Sequence, residues 1–250
     1  MLKEIKNLFS FLTTIPINMD QDILTDTAKC MFLFPLVGAF IGLMAGLCGW
    51  VISSLLPGLV VAALVLGFLL LITGLHHTDG LLDFGDGVMA HGSSERKIEI
   101  MHDQMTGAGG LALGIMTFLI TAFAIAELDK GIIVQGLMVA EVSAKLAMVV
   151  GAWAGKSVHK GMSYSFLEAM HGTKGNARLV AALVISFGFA LPLLWLAGAV
   201  TVLAAILTSI VIVGIAHRHF QGVTGDVLGA TNELARMVSL ITLLAMIRWL

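Results

Sequence analysis

The sequence predicts an all-α membrane protein, a polytopic transmembrane helical bundle of about six or seven spans with an N-terminal amphipathic helix at the interface. Three observations support this fold class. Apolar residues make up 58 % of the chain and charged residues only 12 %, against roughly 25 % charged in an ordinary soluble domain. Apolar runs of about twenty residues recur, which is the length that a helix needs to cross the hydrocarbon core. The 28 glycines favour close packing of helices in lipid.

The predicted elements form a single integral membrane domain over residues 1–250. Residues 2–15 read as an amphipathic helix that is too short to span, so we expect it in the interface plane. Glycines at positions 38, 42 and 46 predict a tight helix contact for the first span. The last apolar run is too short to cross by itself, so its helix must begin near Asn232. Within the bundle, residues 31–250, the apolar runs cover 31–53, 59–75, 111–126, 132–153, 179–196, 200–215 and 237–247.

Three polar segments, 76–110, 154–178 and 217–236, are predicted to be active-site loops on one side of the membrane. That side carries eleven Lys and Arg residues and the other side two, and an excess of positive charge marks the cytoplasmic side. We therefore expect a multi-pass protein of the cell inner membrane whose site faces the cytoplasm. No basic patch suggests nucleic acid, no cleavable signal peptide is expected, and Cys30 and Cys48 are expected to be unpaired.

The segment 76–110 carries the strongest chemical pattern. Asp79, Asp83 and Asp86 stand at i, i+4 and i+7, so they share one face of a helix. Carboxylates this close repel one another unless a cation lies among them. Hard oxygen ligands suit Mg²⁺, with Mn²⁺ possible, whereas a Zn²⁺ site using His76 and His77 would lack a nearby cysteine. Ordinary solvated surface acids are the alternative. A second pair follows a turn, which completes the predicted ligand set Asp79, Asp83, Asp86, Glu99 and Asp103.

Other polar residues are candidates for substrate contacts. Basic residues beside the acidic segment favour phosphate binding, although basic loops also occur simply as the positive-inside signature. Glu141 and Lys145 stand four residues apart within a span, which predicts an ion pair. The glycine-containing run 222–233 predicts a close approach of backbone to ligand. The candidate substrate-binding residues are Lys97, Glu141, Lys145, Lys174, Arg178, Thr224, Asp226, Asn232 and Glu233.

Several motifs carry a family resemblance over the whole chain. They are TDGLLDFGDG at 78–87, RKIEIMHDQMTGAGG at 96–110 and GVTGDVLGATNEL at 222–234, with LFSFLTTIPI near the N-terminus. Together they resemble the cobalamin synthase family, the adenosylcobinamide-GDP ribazoletransferases. The layout D-x-x-D-G followed by E-x-x-x-D is also similar to the motif of CDP-alcohol phosphotransferases. The alanine–arginine step of that motif is absent here, and Glu99 stands where an aspartate is usual.

The resemblance implies a Mg²⁺-dependent transferase of late cobalamin biosynthesis, bound to the lipid bilayer and acting on soluble substrates. α-Ribazole or its 5′-phosphate would attack the β-phosphate of adenosylcobinamide-GDP, giving adenosylcobalamin or its 5′-phosphate, and GMP. In this frame Asp103, His76 or His77 accepts the proton of the attacking hydroxyl and Arg96 holds phosphate. A homodimer is possible. A CDP-alcohol-type phospholipid phosphotransferase and a divalent-ion transporter are the alternatives, although a transporter should carry its acids near mid-membrane.

Overall fold

The structure is a computed structural model that describes residues 2–15, 27–158 and 163–249, with side chains from residue 4 onward. It is helical almost throughout, and no β-strand occurs in these ranges, so the predicted all-α class is confirmed. A short 3₁₀ turn, Met31–Leu33, leads into the second helix. The helices are α1 Leu2–Leu12, α2 Phe34–Ile52, α3 Gly58–Ile72, α4 His76–Met89, α5 Ser94–Met101, α6 Ala108–Ala126, α7 Ile133–Ala154, α8 Tyr164–His171, α9 Gly175–Phe220 and α10 Gly225–Trp249.

Five helical segments, those of α2, α6, α7, α9 and α10, are long and apolar enough to cross a membrane, and the bent pair α3–α4 gives a sixth candidate. Helix α9 is a hairpin, because the backbone leaves helical geometry at Leu194 and Trp195. A Cβ atom on Gly198 would lie 2.2 Å from the carbonyl oxygen of Ala190, whereas residues eight apart in a straight helix are about 12 Å apart. Large apolar side chains face outward, including Val184 and Leu207 at 66 % and 64 % exposure, as expected for contact with lipid.

Helix α7 is the centre of the bundle. Nearly all of its residues are buried, and α2, α9 and α10 pack around it. The predicted glycine contact of the first span is confirmed against this helix. Cβ atoms on Gly38 and Gly42 would each lie 2.5 Å from a backbone oxygen of α7, so larger residues would force the two helices apart.

Helices α3 and α4 meet at an angle of 95°. Gly74 and Leu75 between them both have left-handed backbone geometry, with φ of 68° and 62°. Helix α4 carries three aspartates and is too short to cross a bilayer by itself, at about 1.5 Å per residue. We therefore treat α4 as an interfacial helix beyond the end of α3, outside the membrane-spanning segments.

The three polar segments predicted as loops are mostly helical. Segment 76–110 forms α4 and α5, segment 154–178 contains α8, and segment 217–236 is interrupted only between Phe220 and Gly225. The last helix therefore begins at Gly225 and not near Asn232, because the polar side chains of its first turns are buried against partners in the protein. Residues 16–26 and 159–162 lie outside the described ranges, and Lys160 is among them.

Candidate active site

Close backbone contacts bring α4 against two other helices. A Cβ atom on Gly80 would lie 2.8 Å from the backbone oxygen of Asp226, and one on Gly229 would lie 3.3 Å from the Cα atom of His77. On the next turns of α4, a Cβ on Gly85 would lie 2.9 Å from the backbone oxygen of Gly109. Helix α4 is thus held between the first turns of α6 and α10, and Asp79 and Asp83 lie near the N-terminus of α10.

Asp83 lies among other carboxylates at this junction. The charges of Asp79, Asp226 and Asp86 act on its half-buried carboxyl group, and burial together with these charges raises the pKa of Asp83 from 3.8 to about 7. The crowding predicted from the spacing on α4 is therefore present, and α10 adds Asp226 to it. His102 lies near the same place, with its Nε2 atom 4.0 Å from Oδ2 of Asp226. Two helices that are remote in sequence thus build one acidic cluster, which we define as Asp79, Asp83 and Asp226.

Asp86 has a different set of partners. Its two carboxylate oxygens accept hydrogen bonds from the backbone N–H groups of Gly107, at 2.6 Å, and Gly110, at 2.8 Å. These groups lie at the start of α6, where backbone N–H groups have no partner within the helix. Asp86 therefore caps α6 across a helix interface. Its predicted role as a metal ligand is untested by these contacts and stays a prediction.

The second predicted carboxylate pair lies on the exposed side of α5 and just beyond it. Glu99 accepts a hydrogen bond of 2.9 Å from Arg96, and both side chains are about two-thirds exposed, at 65 % and 64 %. Asp103 accepts a bond of 3.1 Å from the backbone N–H of Met105. Lys97 contacts Nδ1 of His219 at 2.8 Å. Across the described ranges, no three Asp, Glu, His or Cys side chains are arranged to hold a metal ion, so the ligand roles of Glu99 and Asp103 stay predictions.

A cavity of about 470 Å³ opens beside the acidic cluster. Asp79, Asp226 and His76 are among its polar lining residues. The rings of Phe11, from α1, and Phe166, from α8, lie 5.1 Å apart between centroids. Residues of six helices, of the 3₁₀ turn before α2 and of the turn before α8 line the cavity: Ser10, Phe11, Met31, Phe34, His76, His77, Asp79, Met148, Ser163, Phe166, Gly225, Asp226, Leu228 and Gly229.

His77 lies at the inner side of this cavity and is buried, at 7 % exposure. Burial and the positive charges of Lys145 and Arg236 lower its pKa well below the ordinary value, so the imidazole is neutral at pH 7. Its Nδ1 atom has no hydrogen-bond partner in the part of the chain that the structure describes. A buried polar nitrogen without a partner is costly, which makes it a candidate for contact with a ligand.

Several predicted substrate-binding residues form a polar network inside the bundle. Lys145 lies 3.6 Å from Glu141, which confirms the predicted ion pair, and donates a hydrogen bond of 2.6 Å to Asn232. Arg236 donates to both Glu141 and Glu233. We call these five residues the buried network: Glu141, Lys145, Asn232, Glu233 and Arg236, each at most 1 % exposed. Their partners are one another, and their role in substrate binding stays a prediction.

The remaining candidates lie on either side of these groups. Thr224 precedes α10, and its hydroxyl donates to Asp226 over 3.2 Å. Lys174 and Arg178 border a second cavity of about 320 Å³ that Lys29 also lines. Arg178 donates to the backbone oxygen of Ala169. The structure thus separates a basic groove at α8 and α9 from the acidic cluster at α4 and α10.

Sequence reasoning missed three features of this region. Arg236 was counted as a loop charge, although it is fully buried and joins two carboxylates. The aromatic lining of the cavity comes from α1, the start of α2 and α8, which no sequence periodicity links. His77 was considered only as a metal ligand or base. Its position directly after His76, at the start of a helix that packs on α10, was the one available signal.

Comparisons with known proteins identify the family of this chain. The family model for cobalamin-5-phosphate synthase matches residues 4–244. The adenosylcobinamide-GDP ribazoletransferase of Methanococcoides burtonii is 34 % identical over 97 % of this chain and 92 % of its own length. The protein of the same name from Methanosarcina mazei is 35 % identical over 95 % of this chain and 90 % of its own. That of Clostridium novyi is 30 % identical over 98 % and 97 %.

No solved structure matches the chain. The family match covers both motifs that carry the acidic cluster, on α4 and on the first turn of α10, and the similarity to the relatives extends over nearly the full length of each. The chain therefore belongs to the cobalamin-5-phosphate synthase family.

Proposed function

We propose that this chain transfers the adenosylcobinamide-phosphate group of adenosylcobinamide-GDP to α-ribazole or its 5′-phosphate. A ribose hydroxyl of the acceptor attacks the β-phosphorus of the diphosphate. The new oxygen–phosphorus bond forms, the bond to the α-phosphate oxygen breaks, GMP leaves, and the hydroxyl proton passes to a base. The relatives carry the name of this activity, and the chemistry needs a site that neutralises a diphosphate and positions a hydroxyl.

The observation that carries the proposal is the acidic cluster beside the cavity. Three carboxylates from α4 and α10 lie together, and burial, followed by the negative charges of Asp79, Asp226 and Asp86, raises the pKa of Asp83 to about 7. Negative groups gathered in this way fit a site that is completed by a cation. The nearby cavity is of the size that usually holds small-molecule ligands, about 300–1,000 Å³.

The donor set of the acidic cluster fits Mg²⁺, with Mn²⁺ as the alternative. All three members offer hard oxygen donors, and Mg²⁺ commonly binds through one or two carboxylates, with water and substrate phosphate as its other ligands. A protein cage of many side chains is therefore not needed. Bound there, the cation would neutralise charge on the diphosphate and on the departing GMP. We propose that one or two of the carboxylates of Asp79, Asp83 and Asp226 bind it directly, with water and substrate phosphate as its other ligands.

The protein's own groups would then orient the acceptor and take its proton. His76 lines the cavity beside Asp79, so it is better placed than Asp103 to accept the hydroxyl proton. The basic groove with Lys174 and Arg178 offers contacts for phosphate groups of the substrates. The site is proposed to face the cytoplasm, since ten Lys and Arg residues stay on that side when the buried Arg236 is left out.

The test uses the full chain in native membrane vesicles and in detergent. Adenosylcobinamide-GDP, α-ribazole 5′-phosphate and Mg²⁺ are supplied, and GMP release is measured. We expect turnover in detergent and in inside-out vesicles, its loss with EDTA, and none in right-side-out vesicles. Failure of the wild type in detergent would overturn the proposed reaction, and turnover of a CDP-alcohol with a lipid acceptor would favour the alternative activity.

Asp83→Asn is the matched variant for the acidic cluster. It should lower turnover at least about a thousandfold, because it removes the central carboxylate of the site. Asp129→Asn, on the exposed turn between α6 and α7, serves as its control and should retain wild-type turnover. Equal activity of the two variants would reject the assignment of Asp83.

A further inference from the structure

One wall of the 470 Å³ cavity is aromatic. Phe166 lies 5.1 Å from Phe11 and 6.0 Å from Phe34 between ring centroids, and Met31 and Met148 extend this apolar lining. Phe34 and Phe166 are buried. Aromatic rings and thioethers present flat, polarisable surfaces that favour another aromatic ring. This wall is therefore built for a flat apolar group and not for phosphate.

Among the described residues, the Nδ1 atom of His77, which lines this cavity, is buried and has no hydrogen-bond partner. The neighbouring helix α10 approaches His77 closely at Gly229, a residue with no side chain that could bond to this atom. A ligand that offers a single nitrogen to His77 would satisfy this atom and leave the rest of the cavity apolar.

We propose that this cavity binds the base of the acceptor nucleoside, a fused aromatic N-heterocycle with an apolar outer edge, and that His77 hydrogen-bonds its ring nitrogen. The inference deepens the proposed function and rests on it. A benzimidazole base, as in a ribazole, has one such nitrogen and an otherwise apolar rim. Guanine in the donor has several donors and acceptors along its edge, and burying them against Phe and Met would leave them unpaired at considerable cost.

This placement also brings the ribose close to the acidic cluster. With the base between the aromatic wall and His77, the sugar is proposed to lie beside Asp79, Asp226 and His76, which line the same cavity. The acceptor hydroxyl is then next to the acidic cluster, where the diphosphate is proposed to bind. One cavity thus serves both recognition of the base and delivery of the nucleophile.

The first test measures binding without turnover. α-Ribazole is titrated into the detergent-solubilised protein by calorimetry, with no donor present. Phe166→Ala should weaken binding about ten- to hundredfold, and should raise the acceptor KM by a similar factor while the donor KM stays within about twofold. Phe40→Ala is the control, since Phe40 packs on Phe9 outside the cavity and should bind like the wild type.

The second test examines the hydrogen bond of His77 with a nucleoside in which carbon replaces the free ring nitrogen, an indole riboside. The wild type should bind this analogue about tenfold more weakly than the benzimidazole riboside. In His77→Leu the two nucleosides should bind equally. A difference that persists in His77→Leu would overturn the assigned contact.

The outcomes separate this proposal from the proposed reaction. If α-ribazole binds to the wild type and Phe166→Ala weakens this binding, the cavity assignment is supported even if no GMP is released. A donor KM that rises in Phe166→Ala while the acceptor KM stays constant would place guanine in the cavity instead. Normal turnover with unchanged constants in Phe166→Ala would show that the cavity holds neither base.

Discussion

Helix α10 contributes to two groups of ionisable residues that differ in their charge balance. In the buried network, two carboxylates and two cations contact one another inside the bundle. In the acidic cluster, at the N-terminus of the same helix, carboxylates crowd together and the pKa of Asp83 rises to about 7. The buried charges are paired within the protein, whereas the partly exposed charges at the cavity are not.

This difference separates structural charges from functional ones. A charge inside a membrane protein is costly unless it is paired, so a balanced buried group can serve the fold alone. Carboxylates that repel one another reduce the stability of the fold, and they are retained where a ligand relieves the repulsion. We therefore expect the buried network to raise the free energy of unfolding and the metal-free acidic cluster to lower it.

The largest expected effect is on the buried network. Arg236→Met removes the cation that joins Glu141 and Glu233, leaving negative charge buried without its partner, and should cost about 3–5 kcal/mol in the free energy of unfolding. Thermal unfolding in detergent checks this. Arg248→Met, near the exposed C-terminal end of α10, is the control and should change little. Similar melting temperatures for both variants would show that the network does not stabilise the fold.

The acidic cluster should show the opposite sign. The raised pKa of Asp83 means that the folded, metal-free protein binds a proton more tightly than the unfolded chain. This contribution to stability is therefore complete below pH 3.8 and is lost as the pH rises to about 7. The full shift corresponds to roughly 4 kcal/mol, but Asp83 is partly exposed, so screening by solvent reduces the expected change to about 1–2 kcal/mol.

The free energy of unfolding of the EDTA-treated wild type and of EDTA-treated Asp83→Asn, each measured between pH 5 and pH 8, tests this prediction. Asp83→Asn should flatten the pH dependence and stabilise the metal-free protein at pH 8, and Mg²⁺ should stabilise the wild type but not the variant. The control Asp129→Asn should show the same pH dependence of the free energy of unfolding as the wild type. If metal-free Asp83→Asn is less stable than the metal-free wild type at pH 8, the carboxylates do not destabilise the fold by repulsion.

The smallest effect is expected at Asp86, which belongs neither to the buried network nor to the acidic cluster. Asp86→Asn keeps one acceptor oxygen for the N–H groups of Gly107 and Gly110 but loses the charge at the N-terminus of α6. The expected cost is about 1 kcal/mol in unfolding free energy. The Mg²⁺ concentration for half-maximal turnover should be unchanged if Asp86 is only a cap. A tenfold rise in that concentration would identify it as a metal ligand.

Local patterns predicted much of the fold and part of the site. The length of the apolar runs is a local property and placed most spans within a few residues. The spacing of Gly38 and Gly42 predicted a helix contact, and the four-residue step from Glu141 to Lys145 predicted their pairing. Each of these signals lies within a single helix, where backbone geometry determines which side chains are neighbours.

The features that sequence reasoning missed depend on contacts between helices. Arg236 was assigned to a loop, because a count of Lys and Arg treats each positive charge outside an apolar run as solvated. The bonds from Gly107 and Gly110 to Asp86 depend on how α4 meets α6. The aromatic wall of the cavity joins Phe11 and Phe166, which are far apart in sequence. Contacts between helices that are far apart in sequence produce no periodic pattern in the sequence.

The glycine contact between α4 and α10 has a mechanical consequence. Backbone touches backbone at Gly80 and Gly229, so the helices that carry Asp83 and Asp226 cannot approach one another further. A bound substrate cannot therefore be gripped by closer approach of α4 and α10. The acidic cluster is therefore held on a rigid part of the site.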